Sequence, residues 1–240
     1  MEAFLIDNYR LLTHTVEILA AVTGIFCYKK YRLTAAKYFI YFLVYLTICD
    51  FLNYYTVYVR PNKFLNALIG TKFEKNYWWS TLFWNIGAIM FFSLYYNKIL
   101  KIAVHKTIVK YAGYAFLLFA IIYIALHFDA YFYKFFPIIS ILGAIVILLC
   151  AILYFIEILN TDKILTFYRS LNFYISFAIF IWWLIITPIV FYDIYFVYEI
   201  GKSYIDSSFA FLRRFIYLFL NIFMYSTFTF ALIWCKPEND

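Results

Sequence analysis

Glu17 and Asp50 are the residues with the most chemistry to offer, because each is a carboxylate inside a long apolar run. A charge at membrane depth costs about 2.5–3.5 kcal/mol on insertion scales, so it is expected to find water, a partner or a ligand. His14 stands three residues before Glu17 and shares its helix face. Asn53 and Tyr54 share the face of Asp50. Asn85 enters the following apolar run at a similar depth, and Arg213 and Arg214 enter the last run from the same side. His14, Glu17, Asp50, Asn53, Asn85, Arg213 and Arg214 are therefore the candidates for one polar site that binds a small ligand or an ion. The competing use of the same residues is as glue between helices. Glu157, near the inner end of its run, is expected to reach water. Asp193, beyond Pro188, is expected at the outer interface, and Asn221, central in the last run, as helix–helix glue.

Several chemistries are excluded by what is missing. A rhodopsin-type pigment needs a lysine in its last helix, and Ser208 to Cys235 holds none. A seven-helix sugar carrier carries Pro-Gln signatures, and the chain has no glutamine. The three histidines, His14, His105 and His127, lie on different segments, so no His-Glu-x-x-His zinc site can form on one helix. Tyr192-Asp193 supplies half of an intramembrane aspartyl-protease pattern, without the Gly-x-Gly-Asp half. No two glycines lie close enough for a phosphate loop. The expectation is a protein that is not an enzyme, with no catalytic residue, no metal-ligand motif and no cofactor.

The elements that must position these residues are seven long apolar runs. At 240 residues and 67% apolar, the chain leaves no room for a soluble domain. The longest polar stretch, Arg60 to Asn76, is far too short to enclose a core. A helix of about 20 apolar residues spans the roughly 30 Å hydrocarbon layer. The runs predict helices over Leu11–Tyr28, Ala36–Val59, Tyr77–Leu100, Thr107–Phe128, Phe136–Asn160, Arg169–Tyr198 and Ser208–Cys235. The fold class is thus all-α, one polytopic transmembrane domain over residues 1–240. The first run is expected to be a retained helix rather than a signal peptide, since Lys29, Lys30 and Arg32 follow it with no small-residue cleavage site. Pro188 is expected to kink the sixth run, whose length exceeds one crossing.

The basic residues set the expected orientation. Lys29, Lys30, Arg32 and Lys37 fill the first loop, Lys98, Lys101, Lys106 and Lys110 the third, Lys163 and Arg169 the fifth, and Lys236 follows the last helix. If this side is cytoplasmic, the N-terminus lies outside and the C-terminus inside. The net charge of +7 then serves anionic lipid headgroups, and nucleic acid is not expected as a partner. In the long outer loop, Phe64, Leu65, Leu68 and Ile69 predict one apolar face of a short interfacial helix. The four cysteines show no pairing pattern and are expected to be free thiols. Low glycine and proline content argues for continuous helices that recognise through side chains rather than backbone.

Glu17 with Thr23-Gly24, Tyr28-Lys29-Lys30-Tyr31 and Lys37-Tyr38-Phe39 form one set of local patterns. Trp182-Trp183 through Thr187-Pro188 and Asn221-Ile222-Phe223-Met224-Tyr225 form another. With them the chain resembles small bacterial seven-helix integral membrane proteins. That resemblance implies an integral protein of the inner (cytoplasmic) membrane and carries no catalytic residue to this sequence. The expected function is sensory or regulatory: a small ligand, lipid or partner helix bound through the outward polar face, with the change passed to a cytoplasmic or membrane signalling partner. A small-solute or ion transporter using Glu17 and Asp50 is one alternative, and an effector that perturbs the bilayer is another.

Overall fold

In the computed structural model of the chain, residues 8–198 and 207–237 are described, without the side chains of 162, 163, 193–198 and 207. The apolar runs fold as helices because a chain without water must satisfy its backbone internally. In order they are α1 (Tyr9–Tyr31), α2 (Ala36–Asn53, continued by the 3-10 turn Tyr54–Tyr58), α3 (77–99), α4 (Ala103–Leu126), α5 (Pro137–Leu159), α6 (Leu171–Tyr198) and α7 (Ser207–Trp234). Among the described residues the one β-type pairing is an isolated bridge between Ser170 and Lys236.

Six of these helices are each long and apolar enough to cross a bilayer. The exception is α3. The sequence predicts one helix there, but the segment has three parts: a single α-turn Tyr77–Trp79, a π-helical stretch Ser80–Ile86, and a regular helix Gly87–Ile99. A π-turn fits an extra residue into each turn, so the face presented beyond it is out of phase with a plain α-helix.

The surface is inverted relative to a water-soluble protein. Phe26, Phe51, Leu126 and Ile233 stand exposed on the flanks of the helices, as lipid-facing side chains must. The interior is rich in aromatic rings, with Tyr31, Phe39, Tyr95, Tyr96 and Tyr225 fully enclosed. α1 packs on α7 and α2, α7 on α6, α6 on α5, and α5 on both α3 and α4. Two glycines allow close approach. A Cβ at Gly143 of α5 would collide with Ile89 of α3, and one at Gly113 of α4 with Ser93. Small residues at such crossings are how membrane helices gain packing area without a hydrophobic drive between them.

Several expectations change. The loop between α2 and α3 forms no interfacial helix. Its one helical piece is the 3-10 turn Asn66–Leu68, and Phe64 stands open. Polar bonds shape it instead: the Tyr55 hydroxyl donates to the carbonyls of Phe73 and Lys75, and Lys72 pairs with Asp129 at 2.9 Å. Gly70 takes a positive φ of 77°, and its N–H donates to Glu74 at 2.9 Å. α6 is helical through Pro188. Asp193 lies outside the described side chains. All four cysteines are free thiols.

Candidate functional site

The two ends of the bundle each bring a histidine and a buried glutamate together, with opposite outcomes. At the Glu157 end, the carboxylate has its bonds. Glu157 of α5 accepts from the backbone N–H of Lys101 at 2.7 Å and of Ile102 at 3.0 Å, and contacts His105 Nδ1 at 2.9 Å. Those N–H groups stand at the start of α4, whose N-terminus has no side-chain cap of its own. A carboxylate from a neighbouring helix thus caps α4, where orphan donors and the helix dipole favour negative charge. Asn97 of α3 adds a bond to the Lys106 carbonyl at 2.8 Å. The sequence expectation that Glu157 reaches water is corrected here, because its side chain is buried in protein.

The same end is sealed by α1 against α7. Lys30 Nζ donates to the carbonyls of Leu232 and Ile233, and the Tyr31 hydroxyl to those of Leu232 and Cys235. These are last-turn carbonyls with no helical partner, so a cation and a hydroxyl satisfy them.

At the Asp50 end the inventory does not close. Glu17 is 1% exposed, yet neither of its carboxylate oxygens accepts a hydrogen bond from the protein. His14 Nδ1 stands 3.5 Å from one of them, an ion-pair contact too long for a good hydrogen bond. Asp50 of α2 completes the group, and ligand-type atoms of His14, Glu17 and Asp50 all lie within 4.8 Å of one another. Glu17 sits about two turns in from Tyr9, and Asp50 about two turns in from Tyr58, so antiparallel α1 and α2 bring them to one depth. Thr13, Asn53 and Thr81, on the same halves of α1, α2 and α3, also bury a polar oxygen without a protein partner. So does Tyr225 of α7, whose hydroxyl lies within electrostatic reach of both carboxylates. Buried polar groups are normally bonded, and each exception asks for water, a ligand or an ion.

Around this core the fold supplies orienting contacts. Trp84 Nε1 donates to Asp50 Oδ1, and Trp79 Nε1 donates to the Cys49 carbonyl at 3.1 Å. Both tryptophans come from the irregular start of α3, and π-turns recur at functional sites. His14 packs against the Tyr54 ring at 5.2 Å, and Arg10 lies over that ring at 5.4 Å. Above the carboxylates opens a cavity of about 200 Å³, with Arg10, His14, Asp50, Asn53, Tyr54 and Asn76 in its wall.

Of the seven residues picked from the sequence, the structure brings His14, Glu17, Asp50 and Asn53 together. Asn85 makes no hydrogen bond among the described residues; Trp84, its neighbour on the π-turn, is the α3 residue that reaches Asp50. Arg213 and Arg214 lie at this end, where Tyr9 is within electrostatic reach of both and of Asp50. No ion pair among the described residues joins either arginine to Glu17 or Asp50, and Arg213 stands over the Tyr217 ring at 5.2 Å. Arg10, Trp84 and Tyr225 were missed. Arg10 was detectable, four residues before His14 on one face, whereas Trp84 depends on a π-turn and Tyr225 on a distant helix. Asn221 is interhelical as expected, accepting from Trp182 at 2.9 Å.

The fold and site define a multi-pass helical membrane protein with a polar cluster sunk into one end. Comparison with protein-family models, curated proteins and solved structures finds no match, so the function rests on the geometry.

Proposed function

We propose that the chain crosses the membrane seven times, N-terminus outside, and works as a sensory or regulatory binding protein whose site is the cavity over His14, Glu17 and Asp50. The seventh crossing is α3, whose 77–99 span is about 35 Å at roughly 1.5 Å per residue. The basic loops after α1 and α3 support a cytoplasmic Glu157 end. The observation that carries the binding reading is Glu17: a buried carboxylate without a protein hydrogen bond, beneath an open polar cavity. Ligand taken there engages α1, α2 and α3 at once. α1 then runs to the cytoplasmic end, where Lys30 and Tyr31 grip α7, a route by which occupancy reaches a cytoplasmic partner.

Purified protein in nanodiscs, screened by thermal shift against ions, amino acids and sugars, tests this. A ligand at 100 times its Kd stabilises by about 2.7 kcal/mol. At least one compound should raise Tm in the wild type and fail to in Asp50→Asn; a compound acting equally on both variants would place binding elsewhere. The depth of Glu17 and Asp50 also favours transport of a small solute or ion. Flux of the same compound into proteoliposomes, abolished by Glu17→Gln, would favour the transporter over the sensor. For orientation, Ser203→Cys should label from outside intact cells and Asn239→Cys should not; the reverse pattern would overturn it.

A further inference from the structure

Resting on that binding site, we propose that its ligand is a divalent transition-metal cation of the zinc type, held by His14, Glu17 and Asp50. The three side chains are the nitrogen and carboxylate donors such an ion takes. Three protein ligands with a fourth position left open is the arrangement of an exchangeable rather than a structural zinc site, and here the fourth position opens to the cavity lined by Arg10, Asn53 and Asn76.

The geometry supports the assignment on three independent grounds. The first is spacing. At metal–ligand bonds of about 2.1 Å, tetrahedral donors stand about 3.4 Å apart. His14 and Glu17 already meet at 3.5 Å. The widest separation in the group, within 4.8 Å, closes by roughly an ångström, a side-chain adjustment. The second is the missing bonds. Glu17 is 1% exposed with both oxygens unpartnered, and one of them lies within 4.8 Å of ligand-type atoms of Asp50 and His14. Two carboxylates at this separation repel, and one histidine offsets at most one charge. A divalent ion removes the repulsion and supplies the absent bonds together. The third is the surrounding support. Trp84 holds one oxygen of Asp50 and leaves the other free, while the Tyr54 ring steadies His14. Partners of this kind orient ligands and tune affinity.

The donor set also selects among ions. An imidazole nitrogen is a poor ligand for Ca2+ or Mg2+, which take six or more oxygens or keep most of their water. A monovalent cation would leave one carboxylate charge unbalanced beside a buried tyrosine. Among divalent first-row metals, affinity at such a site rises from Mn2+ to Cu2+, with Zn2+ above Mn2+.

The test uses the full chain in nanodiscs after chelator treatment, titrated calorimetrically with ZnCl2. One Zn2+ per chain is expected, and Ca2+ at millimolar concentration should not displace it. Glu17→Gln and His14→Ala should each weaken binding at least 100-fold, and Trp84→Phe 10- to 100-fold. His127→Ala, at an exposed histidine outside the cluster, should leave it unchanged. Co2+ in place of Zn2+ should give a ligand-field spectrum without a thiolate charge-transfer band; such a band would assign binding to Cys49 and overturn the proposal. No saturable Zn2+ binding, or binding insensitive to Glu17→Gln, would also overturn it. A variant that fails to fold is recognised by its lost thermal transition, and Asp50→Asn then takes its place. The underlying reading has its own test. Thr56→Cys, in the cavity wall, should react with a membrane-impermeant thiol reagent from outside intact cells. Reaction there without Zn2+ binding sinks the metal alone, and absence of reaction sinks the outward-facing site.

Discussion

Glu157 and Glu17 are the same side chain in the same kind of helix, each buried and each beside a histidine. Glu157 has all its bonds: two backbone N–H groups and His105. Glu17 has none within hydrogen-bond reach of the protein. Burial and charge are therefore poor guides to role in this molecule, and satisfaction is a good one. The Glu157 end is built to hold, since its carboxylate, Lys30 and Tyr31 all spend their polar atoms on helix termini. The Asp50 end leaves a buried carboxylate without such a bond.

Replacing Glu157 should produce the largest effect. Glu157→Gln converts one oxygen to a donor that cannot accept from the start of α4, leaving a buried N–H unpaired. Loss of about 2–4 kcal/mol is expected, measured by reversible unfolding in mixed micelles. A change under about 0.5 kcal/mol would remove the contrast between the ends.

Packing gives a second measure of what holds the helices together, where α3 crosses α5 in mid-bundle. Gly143→Val pushes two methyl groups into Ile89, which is fully buried between α5 and α3. Overpacking of this kind costs about 1–3 kcal/mol, and the same assay reads it. A neutral result would mean that α3 and α5 can separate freely.

Tyr31→Phe should cost about 1 kcal/mol, the usual net value of a hydrogen bond, while Zn2+ affinity stays within twofold. If affinity fell tenfold, the two ends would be coupled more tightly than α1 alone explains.

The smallest effect lies in the loop between α2 and α3. The Gly70 N–H and Lys75 ammonium hold the Glu74 carboxyl below its ordinary value of 4.5. A folded-state value lowered in this way stabilises the loop above that ordinary value and stops doing so as pH falls through the lowered one. Exchange of the Gly70 amide should therefore be slow at neutral pH and speed up, relative to its intrinsic rate, only below about pH 4.5. Relative protection unchanged down to pH 2 would show that the Glu74 contact is not made.

The sequence carried the fold class and half of the site. Hydrophobic runs of membrane length announce helices whatever the packing, and the His14–Glu17 spacing places both on one face of α1. Asp50 and Asn53 were legible for the same reason, being one turn apart on α2. What was hidden depends on departures from regular periodicity or on partners distant in sequence. Asn85 was picked by its depth on a plain helix, whereas Ser80–Ile86 is a π-helix and Trp84 is the residue that reaches Asp50. Glu157 was set aside because its position near a helix end suggested water, and nothing local reveals that the N-terminus of α4 lies against it. Tyr225 sits deep in α7, and no pattern along that helix marks it as the neighbour of two carboxylates. Arg213 and Arg214 were drawn in by depth alone; depth does not fix which face a side chain takes.

The central claim is that the Asp50 end gives up stability to keep a site open, and Glu17→Gln tests it most directly. In metal-free protein, unfolded under the same conditions as the wild type, the substitution should leave stability within about 1 kcal/mol or raise it, because it removes a buried carboxylate held only by the long His14 contact and breaks no protein hydrogen bond. A loss of 3 kcal/mol or more, matching or exceeding that of Glu157→Gln, would show that Glu17 holds the bundle together and that the two ends do the same work.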